Sequence, residues 1–278
     1  MKLTIYSLIT TSILFLSCNN SSEVKNDLEK QNLNGRVKSI TENSYRAVEK
    51  FGEIVKGEKL VDKIFNKENR LTTFNEKGYE TESLVGFWPA KFKYNENNQK
   101  IEENWYDSDT KIFYKYNDKG FIVESNNYYK KGLVQKVKIV CDEEGNEIER
   151  NSYDTNGKLD YKQKNTFKDG KLIETKEYDG DGTLSSSTKR KYDENGNETE
   201  NIIYDSYGEV SLKSTCKYDE NNQIIEAINI TNNAFNKSQT KNKYIYRKLD
   251  ANKNWTESIQ FENDAPKLII ERIIEYYK

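Results

Sequence analysis

Between Phe74 and Tyr218, short runs of interleaved apolar and polar residues are cut by a recurring turn phrase. Runs such as Leu172–Tyr178 and Thr199–Tyr204 have the alternation and the length of β-strands, about seven residues each. The phrase is an aromatic residue, then Asp or Asn, two loose residues and a glycine. It reads Phe74-NEKG, Tyr116-NDKG, Cys141-DEEG, Tyr153-DTNG, Tyr178-DGDG, Tyr192-DENG and Tyr204-DSYG. In Tyr94-NENN and Tyr218-DENN the glycine place holds Asn98 and Asn222. A place restricted to Gly or Asn is a left-handed backbone position. Asp or Asn at the second place can cap such a turn with its own side chain. The phrase therefore predicts a hairpin loop made of a type I turn followed by a left-handed residue. Tyr129-KKG and Phe167-KDG are one residue shorter.

A longer period lies on top. Tyr94, Tyr116, Cys141, Phe167, Tyr192, Tyr218 and Tyr244 fall 22 to 26 residues apart, and Tyr106, Tyr129, Tyr153, Tyr178 and Tyr204 recur midway between them. One unit is thus two strands and two turns, about 25 residues, the mark of a repeat array. The expected fold is all-β: one domain over residues 33–278, an elongated, twisted antiparallel meander of β-hairpin repeats with roughly fifteen strands. Such a sheet has two exposed edges. End modules at about 33–73 and 242–278 are expected to blunt them.

The Tyr-Asp-x-x-Gly-Asn unit resembles the Rhs/YD-repeat family and, more loosely, the MORN-like hairpin repeats. The matching stretch runs roughly from Phe74 to Asn222. The opening LNGRVKSITENSYRA (Leu33 to Ala47) and the closing KYIYRKLDANKNWTESIQFEN with IERIIEYY look like the end modules of small Rhs-like lipoproteins of Bacteroidetes. The resemblance implies hairpin architecture and says almost nothing about activity. Large Rhs proteins build a shell around a C-terminal toxin; this chain is too short for that closed shell and ends in a strand-like segment, so encapsulation is not carried over.

Composition adjusts the picture. Of 278 residues only 34% are hydrophobic and 32% are charged, yet 20 are Tyr and 11 are Phe. So aromatic a chain is not disordered. A thinly covered sheet held by cross-strand pairs reconciles the two facts, each pair contributing roughly 0.2–1 kcal/mol. Tyr suits it, because the ring packs while the hydroxyl stays wet. The 44 basic and 46 acidic residues are interleaved, with a formal net charge of −2. No basic stripe exists, so a nucleic-acid partner is not expected.

The chain starts MKLTIYSLITTSILFLSCNN. Lys2 is followed by an apolar run, Leu3 to Leu16, too short to span a bilayer comfortably but of signal-peptide form. It ends Phe15-Leu16-Ser17-Cys18, which resembles a bacterial lipobox. Residues 1–17 are expected to be a lipoprotein signal peptide and Cys18 the lipidated residue; a second acyl chain on the new N-terminus would make the attachment stable. Residues 18–32 are expected to be the lipidated cysteine and a flexible tether. Asn19 after the cysteine implies, by bacterial sorting rules, the outer membrane.

The other cysteines, Cys141 and Cys216, invite a disulfide. In a sequential meander they lie about six strand spacings apart, roughly 29 Å, against a Cα limit near 7 Å, so unbridged thiols are expected. The chain has no histidine. That removes Ser-His-Asp triads, Cys-His pairs and imidazole zinc sites, and no catalytic residue is assigned. Asp179-Gly-Asp181-Gly and Asp193-Glu-Asn195-Gly are rich in oxygen ligands, but neither has glycine at the sixth place and Glu at the twelfth of a calcium loop. Turn capping explains these acids, and neither a metal nor a cofactor is expected.

Two stretches break the beat: Val85-Gly86-Phe87-Trp88-Pro89-Ala90, and the polar excursion Ala227 to Lys241. Irregular segments on a regular scaffold are where binding residues tend to sit. Trp88 and Trp105 are the candidate ligand contacts, and Trp255 is expected to close the sheet's end. The functional expectation is a non-enzymatic, lipid-anchored envelope protein that binds an unidentified glycan or protein. Two alternatives stand beside it: a carbohydrate-binding surface lipoprotein, and an immunity or toxin-associated partner of an Rhs-type system.

Overall fold

The computed structural model describes residues 25–61, 70–84, 89–106, 109–233 and 236–278. The signal peptide, the lipobox residues Phe15, Leu16 and Ser17, the lipidation site Cys18 and the candidate contact Trp88 lie outside these ranges.

The turn phrase folds as its residues dictate. At Asp154, Asp205 and Asp219 the side-chain Oδ1 accepts the amides two and four residues on, at 2.8–3.0 Å. The fifth place is left-handed in every long copy, from Gly78 at φ 83° to Gly208 at φ 84°, with Asn98 at 60° and Asn222 at 57°. Leu249-DANKN is a further copy, in which Lys253 takes the left-handed place at φ 66°.

One short helix, α1 (Asp27–Lys30), precedes nineteen strands among the described residues. They are β1 (Val37–Lys50), β2 (Glu53–Lys59), β3 (Arg70–Phe74), β4 (Glu80–Ser83), β5 (Ala90–Tyr94), β6 (Lys100–Trp105), β7 (Thr110–Tyr116), β8 (Ile122–Tyr129), β9 (Gly132–Cys141) and β10 (Glu147–Tyr153). They continue as β11 (Leu159–Lys168), β12 (Lys171–Asp179), β13 (Leu184–Tyr192), β14 (Glu198–Tyr204), β15 (Val210–Tyr218), β16 (Ile224–Asn233), β17 (Asn236–Leu249), β18 (Trp255–Glu262) and β19 (Ala265–Tyr276). All pairings are antiparallel, and β3 to β19 pair in chain order.

The sheet is not an open meander. Strand β1 uses both edges: Ser39–Glu42 pair with Arg70–Thr73 of β3, and Ser39–Arg46 pair with Leu268–Glu275 of β19. The ring β1, β3 to β19 closes into an eighteen-stranded barrel. The two end modules do not cap separate edges; they are each other's partners. This corrects both the elongated meander and the likeness to Rhs/YD hairpin-repeat arrays. The physical reason lies beside the turns. Opposite most slot residues the return strand carries one extra residue: Tyr94 faces Lys100 while Lys93 faces Glu102, Tyr116 faces Ile122 while Lys115 faces Glu124, and Tyr218 faces Ile224 while Lys217 faces Glu226. Each such bulge bends its strand and raises the local twist. Repeated at both ends of the hairpins, the bends roll the sheet shut, which removes its edges.

The Ala227–Lys241 stretch is no irregular excursion either. It is the β16–β17 hairpin, paired from Glu226–Lys243 to Asn233–Asn236. Its Ile228/Ile230 and Asn229/Thr231 positions alternate as a strand requires. The expected tether also ends sooner than Asn32. Asn26 makes a reciprocal capping box with Glu29 on α1, and Leu28 is buried against Val37, Ile40 and Phe74.

Beyond the ring, the β1–β2 hairpin folds back over the outside of β17–β19. Ala47 and Ile54 cover Ile259 and Ile269 there. Lys56 pairs with Glu257 and Glu271, while Arg247 donates to the Ile54 carbonyl at 3.0 Å.

Candidate functional site

The two faces of the ring differ. One face carries a ladder of charges. Glu102 lies between Lys93 (2.8 Å) and Lys111 (4.0 Å), and Glu124 between Lys115 and Lys136, both at 2.8 Å. Glu200 lies between Lys191 (2.8 Å) and Lys213 (2.7 Å), and Glu226 between Lys217 (2.9 Å) and Lys241 (3.4 Å). Hydrogen bonds from Lys115 and then Lys136 hold Glu124 down to about 2, and Glu102, Glu200 and Glu226 are lowered for the same reason, with a lysine bond foremost. Midway tyrosines lie on this face at the far end, with Lys91 over Tyr106, Lys138 over Tyr153 and Lys189 over Tyr204.

The other face carries the slot residues. Tyr94 donates its hydroxyl to the Glu80 carbonyl, Tyr116 to Lys100, Tyr192 to Leu172 and Tyr218 to Glu198, at 2.7–2.8 Å; in β17 the matching bond to Ile224, at 2.9 Å, comes from Tyr246, two residues past the expected Tyr244. Each acceptor is the first or second residue of the preceding strand. Cys141, in the same slot, puts its Sγ 3.6 Å from the matching carbonyl of Ile122. Burial raises Tyr192 and Tyr246 to about 12, so the hydroxyls stay protonated donors.

This second face lines the lumen. The segment around α1 lies against it and ties turns that are far apart in the ring. Asn26 donates to the Lys77 carbonyl in the β3–β4 turn, and Asn32 to the Asn222 carbonyl in the β15–β16 turn, both at 3.1 Å. Asn34 exchanges bonds with Asn254 beside the β17–β18 turn, both at 2.8 Å. A segment that crosses one mouth as a chord lies on the concave side. Beneath it sits Glu80, which burial, then Asp27 and Glu103, push up to about 7 against a hydrogen bond from Ser83 and the charge of Lys100.

Eighteen strands are enough to leave an aqueous interior, and the mid-height of this wall is polar. Gln163 bonds Asn165 at 2.9 Å, Thr175 bonds Asn165 at 3.1 Å, Arg190 bonds Thr175 at 3.0 Å, and Ser214 bonds Asn229 at 2.7 Å. A cavity of about 260 Å³ opens from the inner wall across β6–β10, where Lys100, Glu103, Asn127, Gln135 and Arg150 converge over Ile112 and Val137. Glu103 accepts from the Trp105 indole at 2.6 Å and the Tyr114 hydroxyl at 3.0 Å, with Lys100 at 3.9 Å. Arg150 is bidentate on Glu147 at 2.7 and 2.8 Å. Asn127 donates to Gln135 at 2.8 Å, while its Oδ1 is buried without a partner. Burial lowers Lys100, opposed chiefly by Glu103. A hollow of about 290 Å³ at the mouth is ringed instead by turn residues such as Asn117 and Asp142 that already cap their own loops.

Of the two candidate tryptophans, Trp105 is half-buried on the inner wall, where it anchors Glu103. Trp255 packs tilted against Tyr246 (centroids 5.4 Å) and under the Arg272 guanidinium (3.4 Å), as a wall element rather than a sheet-end cap. No disulfide joins Cys141 and Cys216. Sequence reasoning missed Glu103, Asn127, Gln135 and Arg150. Only their alternation on short strands marked them as facing one side, and only closure makes that side an interior.

No protein-family model and no curated protein sequence matches the chain. Among solved structures it is similar to a porin-like protein from Bacteroides uniformis, with 12% identity over 86% of this chain and 98% of that one and a TM-score of 0.43. A porin-like protein from Bacteroides vulgatus matches with 11% identity over 87% and 99%, TM-score 0.37. A chain of the structure TcdB2-TccC3-TEV matches with 10% identity over 85% of this chain and 17% of that one, TM-score 0.29. Likeness at this level carries no argument about activity or location. The toxin-partner alternative rested on the Rhs resemblance alone and falls with it.

Proposed function

We propose that this protein is a lipid-anchored, non-enzymatic binding protein of the bacterial outer membrane, whose barrel stands in water and whose lumen receives the ligand. The charged outer wall carries the reading. A membrane barrel needs an apolar outer band about 25 Å tall, and a lysine at the bilayer midplane of that band costs roughly 2–4 kcal/mol. The ladder lysines Lys93, Lys111, Lys115, Lys136, Lys191, Lys213, Lys217 and Lys241 stand on strands spread around the ring. Only a few of them at the midplane would cancel the ~5–15 kcal/mol that holds a typical domain. In water the same ladder stabilises neighbouring strands by tenths of a kcal/mol per pair.

The signal and Cys18 supply the membrane attachment the wall lacks. Seven residues lie between Cys18 and Asn26 at the mouth that α1 crosses, so eight Cα steps give a reach of about 28 Å. That mouth faces the lipid and the far mouth faces away. The missing histidine and the acids used in turn caps and ladders favour binding over catalysis. The test is fractionation of the full chain with Cys18→Ala. The variant is expected in the soluble fraction without detergent; a variant that stays in the membrane after alkaline washing would overturn the proposal.

A further inference from the structure

We infer that the inner-wall cavity across β6–β10 is a binding site for one ring of a neutral saccharide. This rests on the reading that the lumen is open to water, and it names the ligand class. The argument is one of balance. The site offers two cationic donors, Lys100 and Arg150, and each stands beside an acid, Glu103 and Glu147. An anion would meet Glu103 as soon as it met Lys100, and a cation would meet Arg150. An apolar guest would strip water from Lys100, Glu103 and Arg150 without replacing its hydrogen bonds, which is unfavourable.

A sugar hydroxyl donates and accepts at once. It can give its proton to the Glu103 carboxylate and accept from Lys100 or Arg150. Ser125 and Ser152 add further hydroxyls to the lining, and Ile112 and Val137 provide a dry patch for the ring's C–H groups. The cavity, about 260 Å³, lies just below the ~300–1,000 Å³ of drug-sized sites, a size for one ring of a longer chain running along the lumen. Tyr114 lines the cavity and Trp105 stands behind it, and both donate to Glu103. They are positioning residues that fix the carboxylate's two oxygens.

The experiment uses the full-length protein in detergent micelles on an array of neutral and acidic oligosaccharides, followed by calorimetric titration of the best binder. Asn127→Leu and Glu103→Gln are compared with wild type, with far-UV circular dichroism and thermal unfolding confirming that each variant is folded. The expected result is a neutral oligosaccharide whose affinity falls at least tenfold in each folded variant. Binding to no saccharide, to acidic ones alone, or undiminished binding in both folded variants would overturn the inference. Should one variant fail to fold, the other decides. A Cys18→Ala protein that is soluble yet binds no saccharide removes the ligand class and leaves the anchored barrel standing; one that stays membrane-embedded removes the parent reading.

Discussion

At Asp205 one carboxylate oxygen caps the amides of Tyr207 and Glu209, and Gly208 turns the chain at φ 84°. A Cβ added to Gly208 would meet nothing within 4 Å. Gly208→Ala therefore isolates backbone strain and is expected to cost about 1–2 kcal/mol, read as a lowered urea midpoint. Asn98→Gly, at φ 60°, is expected to stay within about 0.5 kcal/mol of wild type in the same measurement. This turn grammar was legible because a left-handed angle excludes most side chains. Its limit was Lys253, which holds the same angle without being Gly or Asn. Once Asp250 caps the amides of Asn252 and Asn254, the turn is over-determined and accepts the strain.

Hairpins are joined at their ends by the slot tyrosines. Near the slot the pairing with the preceding strand stops short, at Glu82 in β4 and Glu174 in β12, and a carbonyl among that strand's first two residues is met by the tyrosine instead. Tyr218→Phe keeps the ring and removes the bond to Glu198, so a loss of about 0.5–1.5 kcal/mol is expected, with faster amide exchange confined to β14 and β15. The slot's recurrence was plain in the sequence, but the bond's target was not, because it depends on how neighbouring hairpins are staggered. Nor were the bulges. They follow from which residue of the return strand is left unpaired, and the alternation around Ile101 or Ile225 does not announce it. The supposed irregularity at Ala227–Lys241 misled for a simpler reason. A strand of a hollow barrel can carry Asn229 and Thr231 on its inner wall, where a packed sheet would carry apolar residues.

The whole molecule is a closed ring, which the proposed reading sets in water on both sides, and its electrostatics bear on stability. Glu80 at the mouth that α1 crosses has a folded pKa near 7, above its ordinary 4.5. The folded state holds that proton more tightly, so this contribution is fully present below about pH 4.5 and is lost as pH rises through 7. The ladder carboxylates run the other way. Glu124, held near 2, contributes above its ordinary value and loses the contribution as pH falls from 4.5 towards 2. Thermal stability is therefore expected to peak near about pH 5, and Glu80→Gln is expected to flatten the neutral limb and leave the acid limb unchanged.

Closure joins residues that the chain separates by more than two hundred positions, such as Thr41 and Ile273. No local pattern encodes that pairing, which is why the strands were legible and the lumen was not. The central claim is that the outer wall of this barrel faces water while the protein is held at a membrane. It is tested most directly by treating washed envelope fragments, without detergent, with a membrane-impermeant amine reagent and mapping the modified lysines by mass spectrometry. The account predicts modification of Lys111, Lys136, Lys191 and Lys213 at rates like those of turn lysines such as Lys119. A band of lysines around the ring that reacts only after detergent is added would contradict it.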